Sequence, residues 1–309
     1  MRIAIIGAGG IGGYYGGRLV QAGEDVVFIA RGANLAALQA RGLRVTSIKG
    51  DFHLPHVTAT DDPTSVGPVD LVIVAVKTYQ TDGALHALPP LVGPSTVVLS
   101  LQNGVDAAER MAAAVGREPI LGGLTYISAE LVAPGEIRHV SQFTRVIVGE
   151  VGGAVTPRAR KVVDMFARAG AEAELSDDIE RDIWTKFMFI AVQGPMTGAT
   201  RLTIGPIRDF PPAWAMYATA LREIDTIARA KGIRLPATAV EDRLAFVANL
   251  PATMGSSMLV DVENGRRSEI GDFSGYIVRQ GEALGIPTPT HRALYAIVGA
   301  VDHAAAQKA

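Results

Sequence analysis

The sequence predicts an α/β domain followed by an all-α domain, and three observations carry that expectation. Residues 2–6, Arg2-Ile3-Ala4-Ile5-Ile6, form a short apolar run. It passes directly into Gly7-Ala8-Gly9-Gly10-Ile11-Gly12 and then into a helix-compatible stretch, Tyr14 to Ala22. Two near-continuous apolar runs follow, Val69 to Val76 and Thr96 to Leu101, of the kind that suits strands buried on both faces of a parallel sheet. Beyond residue 176 the apolar residues recur at helical spacing instead, as at Ile183, Phe187, Ile190 and Ala191.

The opening stretch reads as strand, glycine turn and helix, the first unit of a Rossmann-type fold. Gly7 permits the tight turn, Gly9 lets the backbone approach a pyrophosphate, and Gly12 lets the helix pack against the strand. The helix N-terminus then offers N–H groups and partial positive charge to phosphates. Gly7, Ala8, Gly9, Gly10, Ile11 and Gly12 are the candidate cofactor-binding turn. The alternative is a glycine-rich turn that merely closes a β-α unit.

Residues 24–29 read as the second strand, ending in Ala30-Arg31-Gly32. A carboxylate here would bind a ribose 2′-hydroxyl, whereas Arg31 can pair bidentately with a 2′-phosphate. NADP (NADPH) is therefore expected over NAD; an exposed loop arginine is the alternative. Leu35 to Arg41 reads as a short helix, and residues 43–60, with Gly50-Asp51, as a β-hairpin. The Val69–Val76 strand ends in Lys77-Thr78. A helix-like stretch from Thr81 to Leu88 stops at Pro89-Pro90, and the Thr96–Leu101 strand ends in Gln102-Asn103-Gly104. Ligands of open α/β sheets bind beyond the carboxyl ends of the strands. Lys77 and Asn103 are thus placed to meet cofactor or substrate, against the alternatives of a solvated lysine and an αL turn asparagine.

Ile120 to Ser128, Ile137 to Val140 and Arg145 to Val148 read as further strands, with a turn at Pro134-Gly135-Glu136. Pro157 to Arg168 is helical, and Ala173-Glu174-Leu175 suits an edge strand. Ser176-Asp177-Asp178 is an N-cap cluster, which sets the expected domains at 1–176 and 177–309. Helices at Ile179–Val192, Trp214–Lys231, Ala237–Leu250, Asp272–Leu284 and His291–Ala305 make up the second domain.

Composition narrows the function. A net charge of −2 and the lack of a basic run argue against a nucleic-acid partner. With no cysteine, disulfides, thiolate chemistry and zinc–sulfur sites are excluded, which fits a cytoplasmic protein. The six histidines are scattered, and no metal is implied. The longest uncharged stretch, Gly83 to Val105, is broken by Pro89, Pro90 and Pro94 and is no membrane span; the N-terminal apolar run is too short for a secretory signal.

The segment Ser257-Met258-Leu259-Val260-Asp261-Val262-Glu263-Asn264-Gly265-Arg266-Arg267-Ser268-Glu269-Ile270 resembles the S-M-x-x-D-x-x-x-G-R-x-[ST]-E-I signature of the ketopantoate reductases (2-dehydropantoate 2-reductases). The GxGxxG turn, the strand ending V-x-V-K-T, the Leu101-Gln102-Asn103-Gly104 segment and Trp184-Thr185-Lys186 extend the resemblance over the whole chain. It implies NADPH-dependent reduction of a 2-oxo acid. It also implies that Lys186 is the general acid and that Ser257 helps bind the substrate carboxylate. Glu269 would hydrogen-bond the substrate, and Asn103 and Lys77 would lie near cofactor and substrate. The physics agrees: hydride addition to a ketone makes an alkoxide, and an acid must stand at that oxygen. The alternatives are a snorkelling Lys186, an ion-pairing Glu269 and a Ser257 that only caps a helix.

One departure stands out. The family usually carries K-x-x-x-N-x-x-x-N, three polar residues on one helix face. Here the asparagine positions are Ile190 and Gly194, with Gln193 and Thr197 as candidate substitutes and Arg201 beyond them. The leading substrate is 2-dehydropantoate, in pantothenate biosynthesis; the rival is a more apolar 2-oxo acid. A non-catalytic NADP-binding paralogue is the reading from another class, and the retained Lys186 and Glu269 argue against it. A homodimer is compatible with the sequence, although no residue pattern shows one.

Overall fold

The computed structural model describes residues 1–307, which form two compact units, Met1–Asp182 and the described residues from Ile183 onward. In the first unit the chain runs β1 (Arg2–Ile6), α1 (Gly10–Gln21), β2 (Asp25–Ile29), α2 (Gly32–Arg41), β3 (Leu43–Ser47), β4 (Phe52–Leu54), β5 (Thr58–Thr60) and β6 (Leu71–Val74). It continues with α3 (Thr81–Leu85), β7 (Val97–Ser100), α4 (Ala107–Val115), β8 (Ile120–Tyr126), β9 (Ala129–Ala133) and β10 (Glu136–His139). Strand β11 (Arg145–Glu150), helix α5 (Pro157–Arg168) and strand β12 (Glu172–Leu175) close it.

Strand β1 is central because four residues in a row, Ile3 to Ile6, are apolar and buried. It pairs in parallel with β2 on one side and β6 on the other, so that Ile5 faces both Phe28 and Ile73. The full order is β12-β11-β8-β7-β6-β1-β2-β5. Strands β5 to β8 of that order are parallel, and β11 turns antiparallel against β8. The chain builds outward from β1 through β2, then returns to β6. The carboxyl ends of β1 and β6 therefore flank a switch point, where open α/β sheets bind ligands.

The structure differs from the sequence reading in four places in this unit. Helix α1 begins at Gly10, inside the glycine run, rather than at Tyr14. Residues 43–60 hold a hairpin, β3 with β4, but β5 leaves it to extend the main sheet beside β2. Helix α4 was not expected, yet parallel β7 and β8 require a crossover, and Ala107–Val115 supplies it. Residues 129–133 add β9, which was not expected and pairs with β10, the strand expected at Ile137 to Val140. These join β3 and β4 in a second sheet, β4-β3-β10-β9. That sheet covers α1: a Cβ at Gly13 would meet Ile137 at 2.8 Å, and one at Gly17 would meet Phe52 at 2.8 Å.

Helix α6 (Ile179–Thr200) leads out of the first unit, and the units part at residue 182, six residues beyond the expected 176. Its first turn belongs with the first sheet, since Ile179 packs where Cβ atoms of Gly122 and Gly149 would otherwise lie. The helix was expected to stop at Val192. It instead passes through Pro195 to Thr200 and ends on Arg201 at φ 56°. The ring removes one ladder donor but does not end the helix.

The second unit continues with α7 (Ile204–Asp209), α8 (Pro211–Ala230), α9 (Ala239–Ala248), α10 (Ser257–Glu263), α11 (Ser274–Leu284) and α12 (Pro289–Ala306). The Glu223 carboxylate of α8 caps α12, accepting from the backbone N–H groups of Thr290 (2.9 Å) and His291 (3.0 Å). His291 is wholly buried, its ring nitrogens 3.0 Å from the Ser274 hydroxyl and 3.1 Å from the Ala220 carbonyl. Burial pushes its pKa down to about 4. The unfolded chain therefore takes up this proton first, and stability falls as pH drops from about 6.5 to about 4. The expected loss across that window is on the order of 3 kcal/mol. Denaturant titrations of His291→Gln between pH 7.5 and 4 should show a shallower pH slope by one proton, whatever the variant's stability at neutral pH.

Among the described residues no helix is long and apolar enough to cross a membrane.

Candidate active site

The glycine turn has the shape a dinucleotide needs. Gly7 sits at φ +98°, and a Cβ there would strike Val76 Cγ1 at 2.6 Å. A Cβ on Gly12 would fall on the Gly7 carbonyl oxygen, which is how closely α1 returns over the strand. At Gly9, in contrast, a Cβ would meet nothing within 4 Å, so the face of the turn is open. The backbone N–H groups of the first turn of α1, at Gly10, Ile11 and Gly12, precede the helix's own bonding and suit a pyrophosphate. A bound dinucleotide fits this cradle. Arg31 is exposed and occupies the N-cap of α2, beyond the end of β2, where a ribose 2′-substituent would lie.

Lys77 and Asn103 lie beyond the ends of β6 and β7, adjacent parallel strands, and both are half-buried. A neighbour sets their loops together. Gln102 is buried and donates through Nε2 to the Val76 carbonyl (3.0 Å) and to Thr81 Oγ1 (2.8 Å). Its own backbone N–H donates to Ser100 Oγ (3.1 Å). The sequence displayed Gln102 only as part of a motif; its bridge joins residues 26 apart.

Lys186 is 7 % exposed, in the second turn of α6, a helix that also carries Trp184 and Phe187. Trp184 and Phe187 meet edge to face at 5.7 Å, and Phe187 does the same with Phe273 (5.9 Å) and Tyr276 (6.2 Å). Withdrawal from water pushes the ammonium down to about 8, while the negative charge of Glu269 acts in the opposite direction. An acid near 8 is charged at neutral pH and can still release its proton.

Glu269 is 5 % exposed. Its backbone is held on both sides: Asp302 Oδ2 accepts from the Ser268 N–H (3.0 Å) and hydroxyl (2.9 Å). The Glu269 carbonyl accepts from the N–H groups of Asp272 and Phe273. Asp302 lies 33 positions from Glu269, on helix α12, and no local pattern announced it. Ser256, rather than Ser257, caps α10, its hydroxyl accepting from Leu259 N at 3.0 Å. Ser257 is the first residue of α10 and exposed, so its hydroxyl is not spent on the cap.

The structure corrects the expectation about Gln193 and Thr197. Gln193 is 2 % exposed; its Oε1 accepts from the Tyr217 hydroxyl (3.2 Å), and its Nε2 points to the Gly255 carbonyl (3.4 Å). Thr197 is wholly buried, donates to the Gln193 carbonyl (2.7 Å) and lies 2.7 Å from Ser256 Oγ. Both are engaged in tying α6 to the loop before α10, and neither replaces the lost asparagines. Ile190 is half-buried. Around Gly194 a Cβ would meet Met258 at 3.5 Å and Phe273 at 3.6 Å, an apolar lining. Arg201 is exposed past the end of α6. Among the described residues no cluster of three or more His, Asp or Glu side chains could hold a metal.

Comparison with known proteins agrees with this geometry. The family described as ketopantoate reductase PanE/ApbA matches residues 3–153, and its C-terminal counterpart matches residues 178–302. A 2-dehydropantoate 2-reductase of Archaeoglobus fulgidus is 33 % identical over 301 residues, covering 97 % of this chain and 98 % of its own. A PanE/ApbA-family ketopantoate reductase from Ralstonia eutropha superposes with a TM-score of 0.89 at 32 % identity, over 99 % of this chain and 100 % of the other. A D-mandelate dehydrogenase solved with NADH and anilino(oxo)acetate superposes with a TM-score of 0.90 at 25 % identity, over 99 % and 100 %. These likenesses support a nicotinamide dinucleotide as cofactor, and the chain belongs to the ketopantoate reductase family of oxidoreductases acting on a CH–OH group.

Proposed function

We propose that this enzyme reduces a 2-oxo acid to a 2-hydroxy acid with NADPH, and that 2-dehydropantoate is the leading substrate. The observation that carries the reading is Lys186, a buried ammonium near pKa 8 with the Glu269 carboxylate acting on it. The glycine turn would hold the dinucleotide's pyrophosphate, and the reduced nicotinamide would supply the hydride. Lys186 stands as the charged donor for the developing alkoxide and gives up its proton to it. Glu269 holds the lysine's charge and accepts from the substrate, and the Ser257 hydroxyl at the start of α10 receives the carboxylate. Lys77 and Asn103, at adjacent strand ends, orient cofactor and substrate. Arg31, with no acidic residue beside it at the end of β2, supports the phosphorylated cofactor.

A second reading has its own support. The apolar side chain of Ile190 and the apolar surroundings of Gly194 favour a 2-oxo acid with a larger apolar side chain. Initial rates with 2-dehydropantoate, 3-methyl-2-oxobutanoate and benzoylformate, each with NADPH and NADH, separate the two. Selective turnover of 2-dehydropantoate with NADPH is the expected result. Faster turnover of the apolar acids would transfer the assignment to the second reading, and no turnover with any of them would overturn both.

A further inference from the structure

Asn34 lies in the first turn of α2, three residues after Arg31, and its side chain makes two bonds of opposite sense. Nδ2 donates to the Ala8 carbonyl at 2.9 Å, and Oδ1 accepts from the Gly135 N–H at 2.8 Å. A carbonyl can only accept and a backbone N–H can only donate, so this orientation of the amide is forced by its partners. Ala8 is the second residue of the glycine turn. Gly135 is the turn between β9 and β10. One side chain therefore joins the pyrophosphate turn, the helix that carries Arg31 and the hairpin of the second sheet.

We infer that Asn34 is a positioning residue for the dinucleotide, locking the glycine turn to the helix start that carries Arg31. The peptide between Ala8 and Gly9 is planar and trans, so its C=O and N–H point in opposite directions. Holding the Ala8 oxygen toward α2 sends the Gly9 N–H away from it. Two further ties of the turn run through backbone. Gly7 N–H donates to the Ile29 carbonyl (3.1 Å), and the Gly9 carbonyl accepts from Gly13 (2.7 Å). The Asn34 tie is made by a side chain, and so a substitution can remove it. It also sets the spacing between the two phosphate-facing points, since Ala8 and Arg31 are held by residues three positions apart on one helix. The hairpin end is anchored as well: a Cβ on Gly10 would fall on the Ala129 carbonyl oxygen, so β9 rests directly on the start of α1.

The inference rests on the dinucleotide reading of the glycine turn, and the test keeps the two apart. NADPH and NADH dissociation constants are measured by fluorescence titration, with kcat at saturating cofactor and melting temperature, for the wild type, Asn34→Asp, Asn34→Ala and Arg41→Ala. Asn34→Asp keeps the acceptor for Gly135 but turns a carboxylate on the Ala8 oxygen. Asn34→Ala removes both bonds. Arg41 donates to the Pro134 carbonyl (3.2 Å) and tethers the same hairpin turn without touching Ala8. Both Asn34 variants should weaken NADPH and NADH roughly tenfold or more, with kcat at saturation within about twofold of wild type. Arg41→Ala should leave the dissociation constants unchanged. A lowered melting temperature with unchanged dissociation constants would make Asn34 a structural staple and overturn the inference, as would an equal loss in Arg41→Ala. A wild type that binds neither dinucleotide would overturn the cofactor reading, and the brace with it.

Discussion

Lys186→Ala is expected to lower kcat for reduction roughly a thousand-fold, within the range that removal of a general acid costs, while leaving NADPH binding intact. The glycine turn lies in the first unit and Lys186 in the second. The pH dependence follows from the same group. Reduction needs the protonated amine, so its kcat/KM should be level below about pH 8 and fall tenfold per unit above it. Oxidation of the 2-hydroxy acid needs the neutral amine and should rise through the same point. Lys186→Arg keeps a charge that does not titrate in this range and should abolish the inflection while remaining slow. A reduction profile that stays flat to pH 10 in the wild type would remove Lys186 from the proton-donor role.

The second large effect is expected at Ile190 and Gly194. The double substitution Ile190→Asn, Gly194→Asn should raise the kcat/KM ratio of 2-dehydropantoate over benzoylformate by roughly a hundred-fold. A site that hydrogen-bonds a substrate hydroxyl strongly rejects the analogue without one, whereas an apolar wall discriminates weakly. Position 194 can admit the new side chain: its Cβ would sit at ordinary contact distance, 3.5 Å from Met258 and 3.6 Å from Phe273. Met258 is a flexible neighbour that can yield to the amide. Steady-state kinetics on both acids reads the change, and an unaltered ratio would show that these two positions do not select the substrate.

Much of the fold was legible because its signals are local. The run Ile3–Ile6 with the glycines after it, the buried strands at residues 71–74 and 97–100, and helix α5 at Pro157–Arg168 are each written in consecutive residues. The glycine turn was legible for the same reason: Gly7 and Gly12 are required by a backbone that a few residues fully determine. The Lys186 and Glu269 pair was legible only as motif residues. The chain alone reveals neither the burial of the lysine nor the clustering of Trp184, Phe187, Phe273 and Tyr276, because those rings come from segments about ninety positions apart.

What the tertiary structure decided is the set of pairings between distant segments. Gln102 bridges two strand ends, Asp302 clamps the residue before Glu269, and Asn34 joins the glycine turn to Gly135. Each is a polar side chain of unremarkable type, and its meaning lies entirely in its partner. The second sheet belongs here too: β9 is short and half exposed and pairs with β10, which in turn pairs with β3 from far back in the chain. Gln193 and Thr197 make the point in the other direction. By spacing they were candidate substrate contacts, and packing turned them inward to Tyr217 and Ser256. Periodicity records which face of an element is apolar. Which polar group meets which is settled only when the elements pack, because a hydrogen bond depends on ångström-scale distance and direction.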